Sequence, residues 1–160
     1  MEDTRGDMPA VGDAAPDFEG RTQGGETLRL RAMRGRKVAL YFYPKDDTPG
    51  CTKQACNLRD DIEGLTEAGI AVIGVSADDV GSHRAFADKY DLPFPLVADP
   101  EKRIVTSYGV WGEKNLYGKK FMGVKRTTFL IDEEGTIRHV FRRPKVTEHS
   151  REIRERFDAS

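Results

Sequence analysis

The sequence predicts a single α/β domain: a central mixed β-sheet flanked by helices, with an N-terminal β-hairpin. Three observations carry that expectation. Two short apolar runs, "VALYFY" (38–43) and "IAVIGVSA" (70–77), are rich in β-branched and aromatic residues and read as buried strands. Between them Ala55, Leu58, Ile62 and Leu65 recur at helical spacing and form one apolar face. The chain has 160 residues, enough for one core without disulfide or metal support.

The elements follow in order. Residues 1–10 are polar and are expected to form a flexible tail ahead of one domain over 11–160. "PDFEG" and "ETLRL" flank Gly24 and Gly25 and suggest a small hairpin. The run 38–43 is stopped by Pro44 and reads as a central strand. The helix after Cys51 should end near Gly69, a residue suited to a helix stop. Helices are expected over Val80–Tyr90, Pro100–Tyr108 and Thr147–Phe157, and a short strand over Phe94–Ala98. "TTFLID" (127–132) and "TIRHVF" (136–141) flank "DEEG" and read as an antiparallel hairpin. The strand–helix–strand unit should be parallel and right-handed. A thioredoxin-like fold satisfies this order, as do other α/β sandwiches.

Composition narrows the function. Hydrophobic residues make up 38% and charged residues 33%, and the formal net charge is −1. That charge offers no bulk attraction to nucleic acid or to an anionic membrane. The basic run Arg29–Lys37 has no interleaved aromatics, so it reads as a solvated loop rather than a phosphate or nucleic-acid patch. No apolar run reaches the ~18 residues of a membrane span, and no secretory signal pattern is seen. A cytoplasmic location is therefore expected. In a reducing compartment, two nearby cysteines point to redox chemistry or metal more than to a structural staple.

Both cysteines lie in "YFYPKDDTPGCTKQAC" (41–56). Thr48 is a favourable N-cap, Pro49 suits the first helical position, and Cys51 falls in the first turn. Unsatisfied N–H groups and the helix dipole favour an anion there, and a thiolate is one. Lys45 and Lys53 could assist, and Asp46 and Asp47 are expected to face solvent. Cys56 lies five residues on. In a continuous helix that spacing gives a Cα separation of roughly 8.7 Å, beyond the ~7 Å reach of a disulfide. The pair can bond only if the helix opens. C-x4-C is not a zinc spacing, and His83, His139 and His149 are scattered, so no metal is expected and the histidines read as surface or structural residues. No C-x-x-C, phosphate loop, dinucleotide fingerprint or nucleophile elbow is present. No cofactor is expected.

Pro44, Thr48 and Cys51 match the P-x-x-x-T-x-x-C signature of the peroxiredoxins. "TPGCTKQAC" resembles the bacterioferritin-comigratory, or peroxiredoxin Q, subfamily, and the likeness continues through "YGVWGEK", "YGKK" and "GVKRTTFLID". The resemblance implies a thioredoxin-like fold and a thiol peroxidase using thioredoxin or a similar dithiol as reductant. It implies Cys51 as the peroxidatic cysteine and Cys56 as the resolving one, joined in an intramolecular disulfide during turnover. It assigns the Thr48 hydroxyl to the cysteine and peroxide, Arg126 to the thiolate, and Pro44 to shielding the pocket. Gln54 stands where many relatives carry Glu, which leaves an amide for hydrogen bonding, and Trp111 is expected to pack. A monomer is expected, because the cysteine pair needs no second subunit. Two other classes compete. A protein thiol–disulfide oxidoreductase would reduce protein disulfides with little peroxide preference. A redox-responsive binding module would lose partner binding, rather than turnover, when Cys51 is replaced.

Overall fold

In the computed structural model, residues 8–159 are described. Of the tail expected over 1–10, residues 1–7 lie outside the described residues, and Met8 packs into the core. A hairpin of β1 (Glu19–Thr22) and β2 (Thr27–Arg29) leads into β3 (Lys37–Phe42). Then come α1 (Pro49–Asp60), α2 (Ile62–Glu67), β4 (Ile70–Ser76), α3 (Val80–Tyr90), β5 (Leu96–Ala98) and α4 (Arg103–Ser107). A second hairpin, β6 (Trp111–Leu116) and β7 (Lys119–Val124), precedes β8 (Thr127–Ile131), β9 (Ile137–Phe141) and α5 (His149–Asp158).

Seven strands form one mixed sheet in the order β2-β1-β5-β4-β3-β8-β9, and β6-β7 stands apart. Strand β3 lies inside the sheet next to its middle strand β4, parallel to β4 and antiparallel to β8. Its side chains alternate between two cores, as a strand covered on both faces requires. Val38, Leu40 and Phe42 pack with Ile104, Val105 and Tyr108 on one face. Ala39, Tyr41 and Tyr43 pack with Cys51, Leu58, Phe86 and Ile153 on the other. The stretch that holds both cysteines therefore continues from an inner strand covered on both faces. Replacing fully buried Leu58 by Ala should cost about 2–5 kcal/mol.

The expected mixed sheet, parallel unit and flanking helices are all present. Four local features differ from expectation. The apolar pattern foreseen as one helix is split at Asp61, where the backbone leaves helical geometry (φ −114°, ψ 22°). The helix foreseen over 100–108 is confined to α4, because Lys102 is left-handed and Asp99 captures the N–H groups of Arg103 and Val105. A 3-10 turn over Leu30–Met33 replaces the loop foreseen in the basic run. The β6–β7 hairpin was not foreseen, and it exposes Leu116, Tyr117, Phe121 and Met122. Among the described residues, no helix is long and apolar enough to cross a membrane.

Candidate active site

The site forms where β3 gives way to α1. Thr48 precedes α1 with extended backbone (φ −94°, ψ 157°) and Pro49 takes the first helical position. The Thr48 side chain does not cap the helix, contrary to expectation. Its hydroxyl donates instead to the Lys45 carbonyl at 2.8 Å, which leaves its oxygen as an acceptor. Pro44, which follows β3, is half-buried. Cys51, the third residue of α1, is 1% exposed. The backbone N–H groups of Gly50 and Cys51 have no carbonyl one turn back within the helix.

Arg126, between β7 and β8, spans two positions of α1. Its Nη2 donates to Cys51 Sγ at 3.2 Å and its Nη1 to Gln54 Oε1 at 2.6 Å. Cys51 and Gln54 are three residues apart and share one helix face, so a planar fork can reach both. Gln54 accepts this bond as a neutral amide and leaves the guanidinium charge free to act on sulfur. Glycine at position 50 eases the approach, since a Cβ there would lie 3.1 Å from Arg126 Nη2 and the guanidinium would have to give slightly.

Two further groups border Cys51 that the sequence did not single out. Tyr41 lies under the site, stacked on Tyr43 with ring centroids 5.4 Å apart. Gly74 on β4 makes room for it, because a Cβ there would meet Tyr41 Cζ at 2.9 Å. Burial, then the negative charge of Cys51, pushes the Tyr41 hydroxyl far above its ordinary pKa, so it stays a donor. Tyr41 Oη and Gln54 Nε2 are buried with no hydrogen-bond partner among the described residues. Lys114, on β6, is half-buried and donates to the Val124 carbonyl at 3.1 Å. Burial, then the Arg126 charge, holds its ammonium below the usual lysine range, with Cys51 opposing. The expected helpers Lys45 and Lys53 are both exposed.

Asp47 faces solvent as expected, accepting from Lys89 and Tyr90 at 2.8 Å each. The Lys89 bond, then that from Tyr90, lowers its carboxyl pKa. Asp46 does not face solvent. Asp47 adopts a left-handed backbone (φ 58°), and Asp46 turns inward to 8% exposure. There its carboxylate accepts from Tyr43 Oη at 2.5 Å and Ser82 Oγ at 2.7 Å, and lies 2.7 Å from His83 Nδ1. The other His83 nitrogen lies 2.9 Å from the Val97 carbonyl. Asp78 accepts from the Asp46 N–H and from Ser76 Oγ. Asp46, Asp78 and His83 converge within metal-binding range, but their ligand atoms are engaged by one another and by these donors. The cluster anchors the loop that carries Pro44 and Thr48.

Both cysteines are free thiols in one helix, Cys51 buried and Cys56 partly exposed. Trp111 packs against the core beneath Lys102, whose Nζ lies 5.3 Å from the ring centroid. His83 and His149 are fully buried in hydrogen-bond networks, and His139 is half-buried.

Known proteins resemble this chain over most of its length. The model of the AhpC/TSA family matches residues 11–140. A Bcp-type chain of Coxiella burnetii is 51% identical over 143 residues, covering 89% of this chain and 95% of that one. Peroxiredoxin Bcp of Bacillus subtilis is 44% identical over 87% of this chain and 88% of its own. Peroxiredoxin Q of Xanthomonas campestris superposes with a TM-score of 0.83 at 37% identity, covering 89% of this chain and 90% of that one. A further structure concerns the alkyl peroxide reduction activity of the bacterioferritin comigratory protein from the same organism. The chain belongs to the AhpC/TSA family, as a peroxiredoxin of the Bcp and Q type and a thiol-dependent peroxidase.

Proposed function

We propose that this protein reduces hydrogen peroxide and organic hydroperoxides through a Cys51 sulfenic acid and a Cys51–Cys56 disulfide, with thioredoxin or a similar dithiol restoring the thiols. The observation that carries the reading is the Arg126 guanidinium held 3.2 Å from a buried sulfur at a helix N-terminus. The alkyl peroxide activity described for the Xanthomonas relative supports the organic substrates.

The Cys51 thiolate attacks one peroxide oxygen. The S–O bond forms as the O–O bond breaks, and the distal oxygen leaves as water or alcohol after taking a proton. Negative charge grows on that distal oxygen, and donors fixed in advance stabilise it. Arg126 and the N–H groups of Gly50 and Cys51 fill that role. Thr48 has committed its proton to Lys45, so its oxygen accepts from the protonated peroxide and orients it. Pro44 limits water entry. Cys56 then condenses with the sulfenic acid, releasing water, and an external dithiol reduces the disulfide by exchange. The cycle needs no second subunit, since both sulfurs belong to one helix of one chain, and the reading is of a monomer that works in the cytoplasm.

The test is stopped-flow oxidation of the reduced protein by hydrogen peroxide, with Cys51→Ser and Cys56→Ser alongside and intact mass read at the end. Wild type should react far faster than a free thiol and finish two hydrogens lighter. Cys51→Ser should not react, and Cys56→Ser should react once and accumulate oxygen on sulfur. A free-thiol rate in the wild type would refute the peroxidase reading and favour a protein oxidoreductase.

A further inference from the structure

Resting on the peroxidase reading above, we infer that Asn57 is a positioning residue for disulfide formation. Its side chain ties the Cys56 turn of α1 to the start of α5 and sets how often α1 opens.

The requirement to open is geometric. Both cysteines lie in one continuous helix, Pro49–Asp60. At five residues' separation their Cα atoms stand roughly 8.7 Å apart, beyond the ~7 Å a disulfide spans. Whatever resists unwinding between them therefore resists resolution.

Side-chain bonds hold α1 beside each cysteine, and a third lies beyond both, where Arg59 Nη1 donates to the Tyr90 carbonyl at 2.7 Å. At Cys51, Arg126 grips the sulfur and Gln54. At Cys56, the hold is the next side chain. Asn57 Nδ2 donates to the Thr147 carbonyl at 2.9 Å, and Asn57 Oδ1 accepts from the Ser150 N–H at 2.8 Å. Helix α5 has no side-chain cap of its own, because Glu148 at its N-cap makes no capping bond. Asn57 thus caps α5 from across the interface, satisfying a first-turn N–H that would otherwise lack a partner. The tie is reinforced one turn on, where Ser150 Oγ donates to Asp61 Oδ2 at 2.5 Å.

The two holds differ in their response to oxidation. The first is strongest toward a thiolate, and charge-assisted bonds are about twice as strong as neutral ones. Conversion of Cys51 to a neutral sulfenic acid weakens it. The second contains no redox group and is unchanged by that step. Once Cys51 is oxidised, the Asn57 tie becomes the larger of these two holds.

Opening decides between two fates. In one, Cys56 loses its proton and its sulfur attacks Cys51 Sγ. The S–S bond forms, the S–O bond breaks, and the departing hydroxide takes up a proton to become water. In the other, α1 stays closed and the sulfenic sulfur attacks a second peroxide, its new S–O bond forming as the O–O bond breaks, to give a sulfinic acid and water. A tighter tie favours the second fate and a looser one the first.

The experiment exposes reduced wild type, Asn57→Ala and Asn57→Asp to rising hydrogen peroxide and reads disulfide against sulfinic acid by intact mass. Two neutral hydrogen bonds are worth about a tenfold change in the open fraction. Asn57→Ala should raise the peroxide needed for half-conversion to sulfinic acid about tenfold, with the rate of first oxidation little changed. Asn57→Asp keeps the acceptor for Ser150 N–H, loses the donor to Thr147, and should fall between. Hydrogen exchange of the reduced proteins should show α1 amides opening faster in Asn57→Ala. An unchanged partition, or slower disulfide formation, in both variants overturns the inference. If the wild type itself forms no disulfide, the reading beneath it fails instead.

Discussion

Arg126→Ala is the most informative single change at this site. It removes a donor 3.2 Å from Cys51 Sγ and the partner of Gln54. A hydrogen bond to a charged group is worth about 1.5–3 kcal/mol, or roughly 10- to 150-fold in rate if it acts in the transition state. The competing explanation is that the arginine serves only to create thiolate, and arithmetic separates the two. For any thiol, lowering the pKa from ~8.5 to ~6 raises the thiolate fraction at pH 7 from about 3% to about 90%. With a slope of ~0.45 borrowed from thiol–disulfide exchange, that shift cuts intrinsic nucleophilicity about 13-fold. The net gain is only a few-fold. A loss of about a hundredfold would therefore have to come from stabilisation of the leaving oxygen, the role proposed for the guanidinium above. The assay is stopped-flow peroxide oxidation across pH, with the thiolate fraction read independently by ultraviolet absorbance. Wild type and Arg126→Ala are then compared at equal thiolate. Arg126→Lys keeps the charge but cannot bridge Cys51 and Gln54, and should fall between them. Equal rates at matched thiolate fraction would refute the reasoning.

Two predictions concern stability. Asp46→Ala strips the acceptor from Tyr43, Ser82 and His83, and should lower stability to urea by about 3 kcal/mol or more. A loss under about 1 kcal/mol would mean the loop is not anchored there. Burial holds the His149 imidazole below its ordinary pKa, with the hydrogen bond and charge of Glu152 opposing and Arg126 reinforcing. The unfolded chain therefore takes up this proton first as pH falls. The contribution is complete above about pH 6.5 and is lost as pH drops through the lower folded value. His149→Gln should flatten the fall in urea midpoint below about pH 6.5, and an unchanged slope would refute the assignment.

The sheet was legible because its strands state their burial in their composition. Runs such as "VALYFY" have no exposed face to blur the pattern. Helix α3 matched its expected bounds, Val80–Tyr90, with Asp79 capping Ser82 N–H. The β6–β7 hairpin was not legible, since its apolar residues face outward and no alternation toward a core marks it. Its turn places Tyr117 in the left-handed region (φ 52°), leaving Gly118 as the only local signal. The positions of Cys51, Thr48 and Arg126 could be read from the motif. The pocket's foundation could not. Asp46 looks like a solvent-facing turn residue until His83, 37 residues later, arrives on another helix. Polarity alone cannot announce a partner supplied by tertiary folding.

The break at Asp61 bears on how far disorder can travel. Helical hydrogen bonding is cooperative along an uninterrupted ladder, so fraying spreads until something stops it. Here the ladder stops at Asp61, and a new one begins with Leu65 N–H bonded to the Asp61 carbonyl. Leu65 is fully buried against the sheet. Melting that starts among the twelve residues of α1 thus meets a boundary before it reaches this anchor. On the cycle proposed above, α1 is a small cooperative unit of its own, losing and regaining its order in each turnover while the rest of the domain stays folded.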